Sequence, residues 1–187
     1  MKALMTFGRF QPPTKAHLDI FKSMLFLGEE LNVTPFVFIS PSHDNKSNPL
    51  SLEFRARFLY KRFPEIQFIA IPEIKNPFDA VCSLGKSGVE KIYFLCGSDR
   101  IVKYRHFKDY LNHPDLTKTI PGVKELEFIE IGRDPIDSIS STKARNAAKN
   151  KDFRAFLDII PVCDLEDGIE LYTRVKSGLS GTINITK

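Results

Sequence analysis

Ala3-Leu4-Met5-Thr6-Phe7-Gly8-Arg9-Phe10-Gln11-Pro12-Pro13-Thr14-Lys15-Ala16-His17 is the stretch on which the fold turns. Residues 3–7 are a short apolar run of strand length. Ala16, Ile20, Met24 and Leu27 then recur at helical spacing over residues 15–27, with Gly28 near the expected end. Residues 8–14 join the two as a glycine-bearing loop. The same alternation continues along the chain. Strands are expected at 35–39, 66–71, 91–96 and 126–131. Helices are expected at 52–63, with Phe54, Phe58 and Leu59 inward, and at 77–85 and 99–111. A polar loop covers 40–49, a turn-rich stretch 112–122, short helices and loops 141–178, and a tail 180–187. Apolar runs alternating with amphipathic stretches are the pattern of a parallel sheet covered by helices. The expectation is an α/β, Rossmann-like doubly wound sheet of five parallel strands with a small C-terminal helical extension. All of it falls in a single domain, 1–187, with its core in 1–150 and a helical segment at 151–179.

In such sheets ligands bind beyond the carboxyl ends of the strands, near the point where strand order reverses. The loop after the first strand, Gly97-Ser98-Asp99 after the fourth, and Ser140 to Arg145 after the fifth therefore fall on one edge.

Composition bounds the function. A chain of 187 residues with 42% hydrophobic content can bury one sizeable core. Twenty-seven basic against twenty-three acidic residues leave a net charge of +4, dispersed along the chain. That is too little to argue for a nucleic-acid surface and suits phosphate-bearing small molecules equally well. Cys82, Cys96 and Cys163 are odd in number and lack CxxC spacing, against both a disulfide framework and a zinc site. No apolar run reaches membrane-spanning length and no signal peptide is evident, so a cytoplasmic setting is expected.

Two segments carry chemistry. In the first, Gly8 lets backbone approach an anion, and the N–H groups opening the next helix point at any phosphate placed there. Thr14 and His17, three apart, put a hydroxyl and an imidazole on one helical face. A histidine so placed can donate to non-bridging oxygens as charge builds, a role worth roughly 3 to 4 kcal/mol. The plainer alternative makes Thr14 an N-cap and leaves His17 facing solvent. In the second segment, Ser140, Ser141 and Thr142 can cap a helix whose first turn carries Lys143 and Arg145. Hydroxyls, free N–H groups and a guanidinium one turn on make a site for β and γ phosphates, though Ser/Thr before a helix also serves as a simple cap. The aromatics Tyr104, Phe107 and Tyr110, at helical spacing, are read as packing residues rather than an interface.

Both segments resemble the nucleotidyltransferase superfamily that carries an HxGH or TxGH signature and a later SxTxxR signature. Gly8-Arg9-Phe10-Gln11-Pro12 is particularly similar to nicotinamide mononucleotide adenylyltransferases of the archaeal type. The likeness continues at Ser42-His43, at Asn48-Pro49-Leu50-Ser51 and at Arg55. Taken with Gly97-Ser98-Asp99-Arg100 and the C-terminal stretches, the chain also looks like nucleotidyltransferase-like proteins of tailed bacteriophages. In two places it departs from the signature: Thr14 stands for the first histidine and Ala16 for the glycine before the second. A methyl at Ala16 would crowd an adenine or ribose stacked on that helix.

The resemblance implies roles. His17, Thr14 and the backbone of Gly8, Arg9 and Phe10 would hold the α-phosphate, with His17, Thr14 and Arg145 catalytic. Ser140, Ser141, Thr142 and Arg145 would take the β and γ phosphates, and Arg9 could reach the same group. Gly97, Asp99 and Arg100 would approach a ribose, although Asp99 equally suits a helix N-terminus. His43, Lys46, Asn48 and Arg55 would lie on the acceptor side, in a loop that could also be merely solvated. The implied reaction is transfer of AMP from ATP to a small phosphorylated acceptor, nicotinamide mononucleotide foremost, giving NAD and pyrophosphate. Mg²⁺ would be bound mainly through the phosphates, with no protein metal site. Two other readings stay open: a cytidylyltransferase acting on a phospho-alcohol, and a nucleotide-binding phage protein without turnover. The partners are thus ATP and the acceptor, with no membrane or nucleic acid, and a homo-oligomer is compatible with the sequence. For a phage protein the compartment would be the host cytoplasm.

Overall fold

The computed structural model describes residues 1–111, 113–115, 119–131, 139–162 and 164–181. Cys163, Asn112 and the tail from residue 182 onward lie outside them.

Five parallel strands form the sheet: β1 (Lys2–Gly8), β2 (Thr34–Ile39), β3 (Gln67–Ile69), β4 (Lys91–Gly97) and β5 (Glu125–Ile131). Their order is β3-β2-β1-β4-β5, which reverses between β1 and β4. Register brings Gly8 beside Ile39 and Gly97 beside Ile131, so those strands end together. Among the described residues, seven α-helices connect and cover them: α1 (Lys15–Leu31), α2 (Leu52–Tyr60), α3 (Pro77–Lys86), α4 (Ser98–Tyr104), α5 (Ser141–Lys149), α6 (Phe153–Ile159) and α7 (Leu165–Ser180). The sheet is doubly wound, as the alternation predicts.

Period-two alternation of the strands divides the core. Leu4, Val37, Ile39 and Leu95 face Phe21 and Met24 of α1, Phe58 of α2, and the C-terminal helices through Ala144, Phe156 and Leu171. Ala3, Met5, Phe38 and Phe94 face the other way, onto Ala80 and Leu84 of α3 and onto Phe107. Among the described residues no helix is long and apolar enough to cross a membrane.

Boundaries differ where a local signal competed with tertiary contact. Gly28 does not end α1. It is buried within the helix, and a Cβ there would lie 3.1 Å from the Val33 carbonyl oxygen. The stop is Asn32 at φ 50°, a left-handed position that asparagine tolerates. α2 ends three residues early, at Tyr60. β3 pairs over three residues only. The helix expected over 99–111 is α-helical only to Tyr104 and then tightens into a 3₁₀ turn, Arg105–Tyr110. Tyr104, Phe107 and Tyr110 recur every three residues, the 3₁₀ period, which brings their rings onto one line. Tyr104 stacks on Phe94 at 5.5 Å between centroids, and Phe78 meets Phe107 at 5.2 Å and Tyr110 at 5.3 Å. Those aromatics do pack, as expected.

The C-terminal segment is more ordered than foreseen. α7 runs 16 residues and includes Ser180, which the sequence pattern places in the tail. It is tied to the end of α2 by Asp167, whose carboxylate pairs with Lys61 and with the buried Arg62 guanidinium.

Candidate active site

Loop 8–14 leaves β1 and opens onto α1. Phe10 holds it in shape: at φ 50° its side chain folds back into the core, only 3% exposed, edge-on to His17 at 5.0 Å. Gly8 is required by that ring. A Cβ on Gly8 would sit 2.5 Å from the Phe10 ring, so the missing side chain seats an aromatic before it serves any anion. The Phe10 side chain is a core group, and only its backbone stays available to the loop's open side.

Thr14 is the N-cap of α1 and almost wholly buried. His17 reaches back, its Nδ1 lying 2.9 Å from both the Thr14 N–H and the Thr14 Oγ1. Nδ1 accepts the backbone proton, so the neutral ring carries its own proton on Nε2. Thr14 caps the helix, as the plainer alternative has it, and the capping contact fixes the tautomer of His17.

α5 brings the second segment against the first. Ser140 is its N-cap and accepts from the Lys143 N–H at 3.2 Å. The Ser141 hydroxyl donates to the Pro12 carbonyl at 2.8 Å. Arg145 donates from one terminal nitrogen to the Gln11 carbonyl at 2.6 Å and from the other to Thr142 Oγ1 at 3.0 Å. Burial pushes the Arg145 pKa down, proximity to Arg9 adds to the effect, and Asp44 opposes it. Arg9 is exposed and close enough for mutual repulsion. Two guanidiniums this close raise a positive potential that an anion would relieve. Neither α1 nor α5 carries an acidic residue in its first turn, whereas α2, α3, α4 and α7 do. The positive ends of these two dipoles are left for another anion.

The remaining candidates are placed less uniformly. Gly97 ends β4 as the N-cap of α4. Asp99 stands in the first turn of that helix, paired with Arg100 at 3.4 Å, while Arg100 also donates to the Tyr104 hydroxyl at 3.3 Å. His43 and Lys46 are exposed on the 40–51 loop.

Arg55 departs from its expected acceptor contact. It is fully buried, with Nε donating to the Ser51 carbonyl at 3.1 Å, one terminal nitrogen to the Arg9 and Ser40 carbonyls at 2.6 and 2.8 Å, and the other to the Ser42 carbonyl at 3.3 Å. Burial lowers its pKa to about 10. A guanidinium so engaged ties loop ends together and presents nothing to a ligand. Asn48 is also buried, its Nδ2 donating to Asp44 and to Ser47 Oγ. Its Oδ1 is the one buried side-chain oxygen or nitrogen without a partner among the described residues.

Two residues of this region escaped the sequence reading. Asp44 collects the N–H groups of Lys46, Ser47 and Asn48, which hold its carboxyl far below the usual range, the Ser47 bond contributing most. Gln11, 2% exposed, joins loop 8–14 to the 40–51 loop through its side chain. No periodicity marks either one. Gln11 could have been suspected only from its place inside Gly8-Arg9-Phe10-Gln11-Pro12.

The fold has known counterparts. One is TmcAL from Thermotoga maritima, in a crystal structure bound with alpha-thio ATP, at TM-score 0.57 and 15% identity over 93% of this chain and 56% of that one. The chain thus spans little more than half of that protein. Another is the Plasmodium falciparum nicotinic acid mononucleotide adenylyltransferase complexed with NaAD, at TM-score 0.58 and 18% identity over 92% of this chain and 97% of that one. At such identities the likeness is one of fold. No curated protein sequence matches significantly. A family model described as cytidylyltransferase-like matches residues 5–147. That span is most of the chain and contains both loop 8–14 and the 140–145 segment, so the chain belongs to the cytidylyltransferase-like family, within the nucleotidyltransferase superfamily.

Proposed function

We propose that this protein transfers AMP from ATP to a small phosphate-bearing acceptor, nicotinamide mononucleotide first among the candidates, and releases pyrophosphate. The observation that carries the reading is the convergence of Arg9, Arg145 and the N-termini of α1 and α5 on one space at the carboxyl edge of the sheet. A triphosphate satisfies all four. The adenylyltransferase likeness and the Gly8-Arg9-Phe10-Gln11-Pro12 opening favour ATP and a nicotinamide-type acceptor. The family's description keeps a cytidylyltransferase acting on a phospho-alcohol as the second reading.

The acceptor phosphate is already ionised at neutral pH, so it attacks the α-phosphorus in line without a general base. The protein's work is positioning and charge neutralisation. His17, oriented by Thr14, donates from Nε2 to a non-bridging α-oxygen. Arg145, with Ser140, Ser141 and Thr142 beside it, neutralises the departing pyrophosphate, and Arg9 closes over the same oxygens.

Magnesium fits as a passenger of the nucleotide. The side chains facing this space are cations and hydroxyls, and the Asp44 carboxylate is taken up by its own turn. No group of three His, Cys, Asp or Glu is placed to hold a metal among the described residues. Mg²⁺ would be held through phosphate oxygens and would supply further charge neutralisation there.

The test is incubation of the protein with Mg²⁺, ATP or CTP, and a panel of phosphorylated acceptors, reading pyrophosphate and product mass. NAD from ATP and nicotinamide mononucleotide is the expected outcome. A product formed only from CTP replaces it with the second reading, and ATP binding without turnover makes the protein a nucleotide binder. His17→Ala should lower kcat by about 10²–10³ with the fold intact; activity within a few-fold of the parent removes His17 from the mechanism.

A further inference from the structure

Gln11 stands where the three loops of the site meet. Its Nε2 donates to the Leu50 carbonyl at 2.9 Å and to the Ser42 carbonyl at 3.0 Å, while its Oε1 accepts the Leu50 N–H at 2.9 Å. The side chain thus pairs with both backbone groups of Leu50, as a strand neighbour would, and adds a third bond at the other end of the loop. Its own carbonyl accepts from Arg145. Main chain and side chain therefore serve opposite halves of the site. The main chain meets the arginine assigned to the triphosphate, and the side chain holds the 40–51 loop that carries His43 and Lys46.

That loop has few other supports. Arg55 clamps its two ends. From behind, α7 abuts it so closely that a Cβ on Gly178 would lie 2.1 Å from the Pro49 carbonyl oxygen. Arg55 and the Ser40 N–H also tie the start of the loop to segment 8–14, through the Arg9 and Gly8 carbonyls. Gln11 is the side chain of the nucleotide segment itself that reaches the far end of the loop, at Leu50.

We propose that Gln11 is a positioning residue for the acceptor, fixing the 40–51 loop against the nucleotide-binding segment by its carboxamide. This rests on the adenylyltransferase reading of the site. The residue type follows from the geometry, since the position needs a double donor and an acceptor at the reach of two methylenes. Glutamate lacks the donors, methionine lacks both functions at equal size, and asparagine is one methylene short. Every substitution keeps the backbone carbonyl that Arg145 uses. Loss of the side chain should therefore act on the acceptor and spare ATP.

The experiment compares the parent protein with Gln11→Met and Gln11→Glu, using ATP and nicotinamide mononucleotide. Gln11→Met should raise the KM for nicotinamide mononucleotide at least tenfold and leave the KM for ATP within twofold. Gln11→Glu should be worse at pH 8, because its carboxylate faces the Ser42 and Leu50 carbonyls. Its acceptor KM should fall toward that of the parent between pH 8 and pH 6 as the carboxyl takes up a proton and regains one donor. Both KM values rising together, or neither moving, overturns the proposal. Hydrogen exchange separates this from the fate of the functional reading. In Gln11→Met without ligand, amides 41–50 should exchange at least tenfold faster while β4 keeps its protection. If the parent turns over no nicotinamide mononucleotide, that acceptor assignment falls, and accelerated exchange confined to 41–50 still establishes the clip. Unchanged exchange there refutes the clip itself.

Discussion

Replacing Arg55 with methionine removes a buried cation that donates to four backbone carbonyls and, among the described residues, makes no salt bridge, with Glu53 acting on it only from a distance. The Ser51 and Ser42 carbonyls keep a second donor, the Arg55 N–H and Gln11 Nε2, so each loses about 1 kcal/mol. The Arg9 and Ser40 carbonyls are left short in a buried place, at about 2 kcal/mol each. Against this, the fall of the Arg55 pKa from 12.5 to about 10 marks a burial cost of about 3 kcal/mol that methionine relieves. The balance is a loss of about 3 kcal/mol, which for a chain of this size lowers Tm by about 6–12 °C. Urea denaturation gives the energy. Tryptic cleavage after the exposed Lys46 reports the loop, and should accelerate well below the unfolding midpoint. A loss under about 1 kcal/mol with unchanged cleavage refutes the reasoning. Normal stability with a collapse of acceptor affinity would return Arg55 to the acceptor-binding role that the resemblance implied.

Other perturbations probe the remaining supports. Arg145→Lys should weaken ATP binding at least tenfold by calorimetry without loss of fold, because one ammonium cannot reach the Gln11 carbonyl, Thr142 and a phosphate together. Asp167→Ala removes the only carboxylate paired, among the described residues, with the Arg62 guanidinium, whose side chain is 4% exposed but which keeps the Pro161 and Phe58 carbonyls, and should cost about 3 kcal/mol in urea denaturation. Burial pushes the Cys96 thiol from 9.0 up to about 11, so at pH 8 mass-mapped alkylation should run about 100-fold slower there than at a free cysteine. Because the pKa is raised, that rate should climb about tenfold per pH unit between 8 and 10, where a free thiol is already levelling off.

What the sequence determined by itself is the part that rests on periodicity and short-range chemistry. Residues 3–7, 35–39, 91–96 and 126–131 announce buried strands because an apolar run of that length has nowhere else to go, and the helices between them force parallel pairing. The carboxyl-edge placement of Gly8, Gly97 and Ser140 to Arg145 follows from that topology alone. The meeting of the first loop with the last needs the tertiary structure, since β4 stands between β1 and β5. Tertiary structure alone decided what each polar group does once it arrives. Arg55 reads as acceptor chemistry in one dimension and Gln11 carries no signal there; both become internal ties because backbone carbonyls at three loop ends had to be satisfied away from water. Gly8 reads as room for an anion and proves to be room for the Phe10 ring. Gly28 reads as a helix stop and proves to be a close contact inside the helix. Local pattern reports which residues must leave water; which partner each then finds depends on contacts across tens of residues of chain, and only the folded molecule contains them.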